Sequence, residues 1–302
     1  SSFFLDNELR ELEGTIENAM KIVGEKVPTS YLEIMFPWVV KVVTVVPYSD
    51  QMPRFTSDAL SYNWYDSTFN IQNTFVHSII NALTQVAHDE QNIFQPISQQ
   101  LKNLSYQTPQ QLLAYVYSSL PEQYAEDAFN FLITDQRRYG LGEEQFDSRR
   151  LISAIFPFLS SEQKELLESN ILQFSWPVYK ELGLHGLRWS GFEQYRLLHS
   201  IPVELLSLKA KKRLAEWQRK FPDTPISDKP PMGTRGGFVP SPIPNEHAKK
   251  MSNKNWLQAM GKYKTGINQA GPFGGGAHQL SGVLLNEIKN DPERFHKLFK
   301  EV

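Results

Sequence analysis

The chain has 302 residues, 40% of them hydrophobic and 21% charged, with a formal net charge of −2. It is long enough for one large core or two smaller ones, and too apolar for a disordered polypeptide. Cysteine is absent, which excludes disulfides, thiolate metal sites and cysteine nucleophiles and leads us to expect a reducing cytoplasm. No apolar run approaches the roughly 18 residues of a membrane span, and the opening SSFFLDNELRELEG is acidic where a signal peptide needs a basic n-region.

In chain order, nearly every segment reads as helix. Asp6 is placed to cap a first helix carrying Leu9, Leu12, Ile16 and Met20. After Pro28-Thr29-Ser30 a second presents Tyr31, Ile34, Met35, Trp38, Val42, Val45 and Val46, with Pro37 expected to kink or break it. Val39–Val46 also fits a strand, but no second strand-like run exists to pair with it. Residues 47–68 read as a long aromatic loop containing Trp64 and Tyr65. Next comes a helix with Phe69, Phe75, Val76, Ile79, Ile80, Leu83 and Val86 on its apolar side. Thr108-Pro109 signals a helix start, continued by Leu112, Leu113, Val116 and Leu120. Pro121 opens the next, with Tyr124, Ala128, Phe131 and Leu132. Asp147 is expected to cap a helix holding Leu151, Ile155 and Phe158, and Ser160-Ser161-Glu162 to start one striped by Leu166, Leu167, Ile171 and Phe174.

Short linkers between such helices build antiparallel hairpins, but no 34- or 40-residue period is present. The expected fold is therefore all-α, an irregular helical-hairpin array over residues 1–222. A tether with seven prolines and three glycines, FPDTPISDKPPMGTRGGFVPSPIP, runs from Phe221 to Pro244. Its apolar residues Phe221, Phe238, Val239 and Ile243 suit an ordered strap packed on helices and not a free spacer. Residues 223–250 are assigned to it, and 251–302 to a last helical segment of the same array. Phe295, Leu298 and Phe299 leave that segment apolar at its final turn, so a piece of a longer protein is expected.

The catalytic motifs that these residues invite are incomplete. GPFGGGAHQ lacks the lysine and following hydroxyl of a P-loop and MGTRGG has neither its spacing nor a helix behind it, so Gly274, Gly275 and Gly276 are assigned to a tight turn before a helix. None of the seven histidines has metal-ligand spacing; His77 reads as a packing residue and His185 as a loop residue. WSGFEQ lacks the elbow of a serine nucleophile and reads as a helix cap through Ser190. The carboxylate pairs Asp89-Glu90 and Glu143-Glu144 fit exposed helix ends. We therefore assign no catalytic residue, metal ligand or cofactor.

Charge gives the candidate binding residues. Residues 1–134 carry 15 acidic and 6 basic side chains, whereas residues 135–302 carry 18 acidic and 25 basic, a polarity suited to an acidic partner. Arg137, Arg138, Arg149 and Arg150 flank the loop YGLGEEQFDS. They either anchor a partner's carboxylates or pair internally with Glu143, Glu144 and Asp147. Lys209, Lys212 and Arg213, with Lys211, Arg219 and Lys220, line the basic face of a helix whose apolar stripe is Leu206, Ala210, Leu214, Trp217 and Phe221. A protein partner is expected here, not a nucleic acid or a membrane.

The last third of the chain carries a more specific signal. An SPI segment precedes the short helix KMS-x-x-x-WL-x-AM-x-KY; a Gly-Gly-Ala helix start and DPERF at the head of another helix follow. This succession, over roughly residues 190–302, resembles the C-terminal region of large bacterial STAND-type NTPases, including proteins of antiviral defence. The resemblance implies a parent with an N-terminal effector, a P-loop ATPase and a helical array that senses a trigger such as a viral protein. On that basis the chain is expected to be a non-catalytic sensor segment, contacting its trigger and the rest of its parent. The alternative is a helical scaffold or adaptor without a defence role.

Overall fold

The computed structural model describes residues 7–48, 54–61, 71–175, 187–224, 226–230, 241–263 and 276–298. These form fourteen α-helices, short 3-10 turns and one isolated backbone bridge, between Thr56 and Tyr106. The all-α array expected from the sequence is what forms. Two compact units divide it: Ser1–Glu181 with Trp189–Gly233, and Leu182–Arg188 with Thr234–Val302. The division falls inside the Pro/Gly-rich tether, whose first residues belong to the first unit and whose last belong to the second. Asp6, Trp64, Tyr65, Phe69, His185, Phe238, Val239, Gly274, Gly275 and Phe299 lie outside the described residues.

The first unit begins with α1 (Asn7–Lys26) and α2 (Pro28–Val43), both packed on α3 (Ile71–Asp89). Helix α2 is apolar nearly all round, and it buries Tyr31, Leu32, Phe36, Val39 and Val43. The expected stripe is thereby corrected, since Ile34 is 73% and Val45 71% exposed and Trp38 is also outward. Pro37 lies inside α2 without ending it. Pro37 and Glu33, the residue whose carbonyl loses its donor, are both exposed, so solvent replaces the missing N–H at little cost. His77, expected among the packing residues, is exposed on α3.

Helix α4 (Gln91–Asn103) occupies a stretch for which the sequence suggested no element. Helix α5 (Gln107–Ser119) then starts one residue before Thr108-Pro109, and Thr108 is not its cap but a buried first-turn residue. Asp58, fifty residues earlier, does the capping. Its carboxylate accepts from the Thr108 N–H at 2.9 Å and from the Thr108 hydroxyl at 2.8 Å, satisfying a helix N–H that has no intrahelical partner.

Helix α6 (Pro121–Thr134) opens with its proline as expected and buries Tyr124, Ala128, Phe131 and Leu132. A 3-10 turn (Gln136–Gly140) leads through residues 142–145 to α7 (Phe146–Ile155). Helix α8 (Ser161–Gln173) starts at a reciprocal cap between Ser160 and Gln163. Leu167 and Ile171 are buried there, but Leu166 and, before it, Phe158 are each 47% exposed, correcting two expected core residues.

Helix α9 (Phe192–His199) is capped by Gly191 and not by Ser190. Gly191 has φ 92°, and a Cβ at this position would lie 2.3 Å from Trp217 Nε1, so glycine is required twice over. Helix α10 (Leu208–Lys220) buries the expected stripe of Leu206, Ala210, Leu214, Trp217 and Phe221. Its cap Ser207 is held in turn by buried Glu168 of α8, which accepts from the Ser207 N–H at 2.9 Å and from its hydroxyl. Phe221, the first tether residue, stacks against Tyr195 and meets Phe192 edge-on.

The second unit contains α11 (Asn245–Ala248), α12 (Asn253–Lys262), α13 (Ala277–Asn290) and α14 (Pro292–Leu298). Trp256 is fully buried in a core with Ala248, Ala259, Leu280, Val283 and Phe295, and Ile243 packs against them. Ser252 caps α12 through the Asn255 N–H, and Gln279 accepts from the Gly276 N–H at 2.9 Å at the start of α13. Arg294 of DPERF donates to Asn253 at 2.7 Å and to the Met251 carbonyl. The SPI, KMS, Gly-Ala and DPERF segments therefore converge on one small core, where their residues have packing and capping roles.

Candidate functional site

The seven candidate residues separate by burial. Arg138 is 6% exposed and spends its guanidinium on the interior. Nε donates to Gln110 at 2.9 Å, Nη1 to the Phe131 carbonyl at 2.7 Å and to Thr134 at 2.8 Å, and Nη2 to the Lys102 carbonyl at 3.2 Å. Gln110 also donates to the Leu101 and Leu104 carbonyls at 3.0 and 2.7 Å. The pair thus closes the open carbonyls at the ends of α4 and α6, and Arg138 is withdrawn from the contact surface.

Arg137 pairs with Asp135 at 2.7 Å and lies over Phe55 at 4.3 Å. Its partner is Asp135, not the Glu143, Glu144 or Asp147 expected from the sequence; Asp147 is itself buried and accepts from Gln111 at 2.7 Å. Burial alone pushes the Asp135 carboxyl up, but hydrogen bonds and charge from Arg137 outweigh it and hold it below the ordinary value. Lys209, Lys212 and Arg213 stand on the exposed face of α10, where Arg213 pairs with Glu216 at 2.7 Å.

Arg149 and Arg150 instead line a cleft of about 730 Å³. Phe146, Ser153 and Ala154 of α7 continue that wall; His199 at the end of α9 and residues 200–203 after it form the second. Leu214 and Gln218 of α10 and Asp228 of the tether complete it. The arginines of α7 thus meet α10 through Leu214 and Gln218, while Lys209, Lys212 and Arg213 stand outside the cleft lining. No sequence spacing relates the two helices, because α8 and α9 lie between them in the chain.

The turn before α7 sets the aim of these arginines. Gly142, Glu144 and Gln145 have φ of 77°, 53° and 61°, a left-handed backbone that side chains other than glycine rarely adopt. A Cβ on Gly142 would lie 2.2 Å from Asp147 Oδ2. Gln145 donates to the Tyr139 carbonyl at 2.9 Å; the Ser148 hydroxyl donates to the Arg138 carbonyl at 2.7 Å and accepts from the Leu141 N–H at 2.8 Å. The first turn of α7 is thereby fixed on the preceding 3-10 turn, and Arg149 and Arg150 follow it directly.

Arg149 is 4% exposed. Nη1 donates to the Ser227 carbonyl at 3.0 Å, and its Nε is buried with no partner. Burial foremost, and then the charge of Arg196, pull its pKa down; Glu144 and Asp228 oppose them. Among the described residues it forms no ion pair. Arg150 is half-buried, with its guanidinium 3.9 Å over the Tyr115 ring and Nη2 bonded to Ser119 at 3.2 Å. His199 Nδ1, on the opposite wall, is also buried without a partner.

Among the described residues no group of three or more His, Asp or Glu side chains is placed to hold a metal ion, and no helix is long and apolar enough to cross a membrane. Comparison with known protein families, curated proteins and solved structures finds no match.

Proposed function

We propose that this chain is a non-catalytic recognition segment of a STAND-type ATPase of bacterial antiviral defence, and that it binds a protein trigger. The single observation that carries the recognition reading is one cleft lined by both of α7's arginines, one of them a buried cation that forms no ion pair among the described residues. A buried charge without an ion-pair partner is costly, and groups perturbed in this way cluster at functional sites. The likeness of residues 190–302 to the C-terminal region of STAND proteins supports the parent. The trigger acts by binding the active state of that parent better than its resting state.

The test is a charge reversal in the full-length parent, co-expressed with single viral proteins and scored by growth arrest. Arg150→Glu is expected to lower triggering at least about tenfold with unchanged protein level and helicity. Triggering unaffected by Arg150→Glu sinks the cleft as the recognition site. If no viral protein triggers arrest, the defence role falls and the scaffold reading replaces it.

A further inference from the structure

The chemistry of the cleft narrows what it recognises. Arg149 is more than nine-tenths buried yet makes only one polar contact, to a backbone carbonyl, and Nη2 donates to no described residue. The Ser227 carbonyl fixes the guanidinium plane without neutralising it. Arg150 lies beside it in the same wall, its own plane set by Tyr115. Two oriented guanidinium groups define a receptor for an oxyanion.

The remaining lining decides which oxyanion. Phe146, Ile201, Pro202, Val203 and Leu214 give the cleft an apolar surface beside the arginines, and its volume falls in the range of sites that bury a ligand of a few residues. Exposed Asp228 stands in the lining and Glu144 acts on Arg149 from nearby. Their negative charge opposes a doubly charged phosphate more strongly than a singly charged carboxylate.

We infer that the cleft binds an extended acidic peptide segment, taking a Glu or Asp carboxylate on Arg149 and Arg150 and the flanking apolar side chain against Phe146 and Leu214. This rests on the reading of the cleft as a protein-recognition site and specifies its ligand.

The 302-residue chain is titrated with three probes: acetyl-Leu-Glu-Val-amide, its Gln counterpart, and inorganic phosphate. Affinity is read by calorimetry and the Arg149 Nε–H signal by ¹⁵N NMR. The Glu peptide is expected to move that signal and to bind about tenfold to a hundredfold more tightly than the Gln peptide, the difference a charge-assisted hydrogen bond makes. Arg150→Gln, a change at a half-buried position with folding checked by melting, is expected to remove most of that preference.

Equal binding of the Glu and Gln peptides overturns the inference, as does no binding of either at about 10 mM. Phosphate binding more tightly than the Glu peptide also overturns it, because the oxyanion is then not a peptide carboxylate. Failure here while Arg150→Glu still blocks triggering removes only the carboxylate chemistry; failure of both removes the cleft as a recognition site.

Discussion

The two units close their helix ends by different means. In the second, each cap comes from a few residues away: Ser252 to Asn255, Gln279 to Gly276, and Asp291 to Arg294. In the first, the main closures arrive from far along the chain. Asp58 caps α5, Glu168 holds the cap of α10, and Arg138 with Gln110 closes the ends of α4 and α6. The first unit also places polar groups inside its interior, including Gln111, Asp147, Ser148 and Arg149, whereas the second is a small apolar core around Trp256. A small core with local caps depends on one large side chain; a large core with remote caps depends on a network.

Substitutions at the two centres test that contrast. Trp256→Ala is expected to have the largest effect, about 3–5 kcal/mol for loss of a buried aromatic side chain. Its signature is lost hydrogen-exchange protection across α12–α14. Retained protection there would mean that the core does not rest on Trp256.

Arg138→Met keeps much of the side chain's length but removes one of two donors from each of the Phe131 and Lys102 carbonyls, which keep Thr134 and Gln110. The buried Gln110 Oε1 loses its donor, and orphaning such a group costs about 1–3 kcal/mol, expected as a lowered denaturant midpoint with exchange protection lost first at the ends of α4 and α6. An unchanged midpoint would show that solvent serves these carbonyls equally well.

The smallest effect concerns Asp135, whose folded pKa is depressed by Arg137. Its contribution is complete above the unfolded value of about 3.9 and is lost as pH falls through the lower folded value. Asp135→Asn is therefore expected to flatten the acid limb of the stability–pH curve below about pH 4 and to leave its slope between pH 6 and 8 unchanged. An identical acid limb in both proteins would remove Asp135 from the network.

The same contrast governs what the sequence could reveal. Local signals were readable: Pro121 and Ser160 open helices, and the stripe Leu206–Phe221 is buried as its spacing predicts. Helix α2 defeated periodicity because it is apolar on nearly every side. The series 31, 35, 38, 42 and 32, 36, 39, 43 fit equally well; packing on α3 buries all of the second and, of the first, only Tyr31 as fully. Thr108 and Asp147 resemble caps in sequence, yet Thr108 is itself capped by Asp58 and Asp147 serves Gln111. The arginines around the 137–150 loop were visible as candidates. Their sorting into an internal fastener at Arg138 and a cleft pair at Arg149 and Arg150 depends on tertiary neighbours at residues 102, 115, 131 and 227.

The reach from Asp58 to Thr108 also orders events in time. A ribosome adding about 5–20 residues per second emits Asp58 roughly 3–10 s before the helix it caps. During that interval the 54–61 segment has no α5 to hold. Tyr106 cannot yet donate to the Val46 carbonyl, nor can the Gln107 N–H reach Thr56. The early segment thus acts as a clasp that waits for its eye. The N-terminal helices can gather around α3 as they emerge, but the loop after them is fastened only once α5 has left the ribosome.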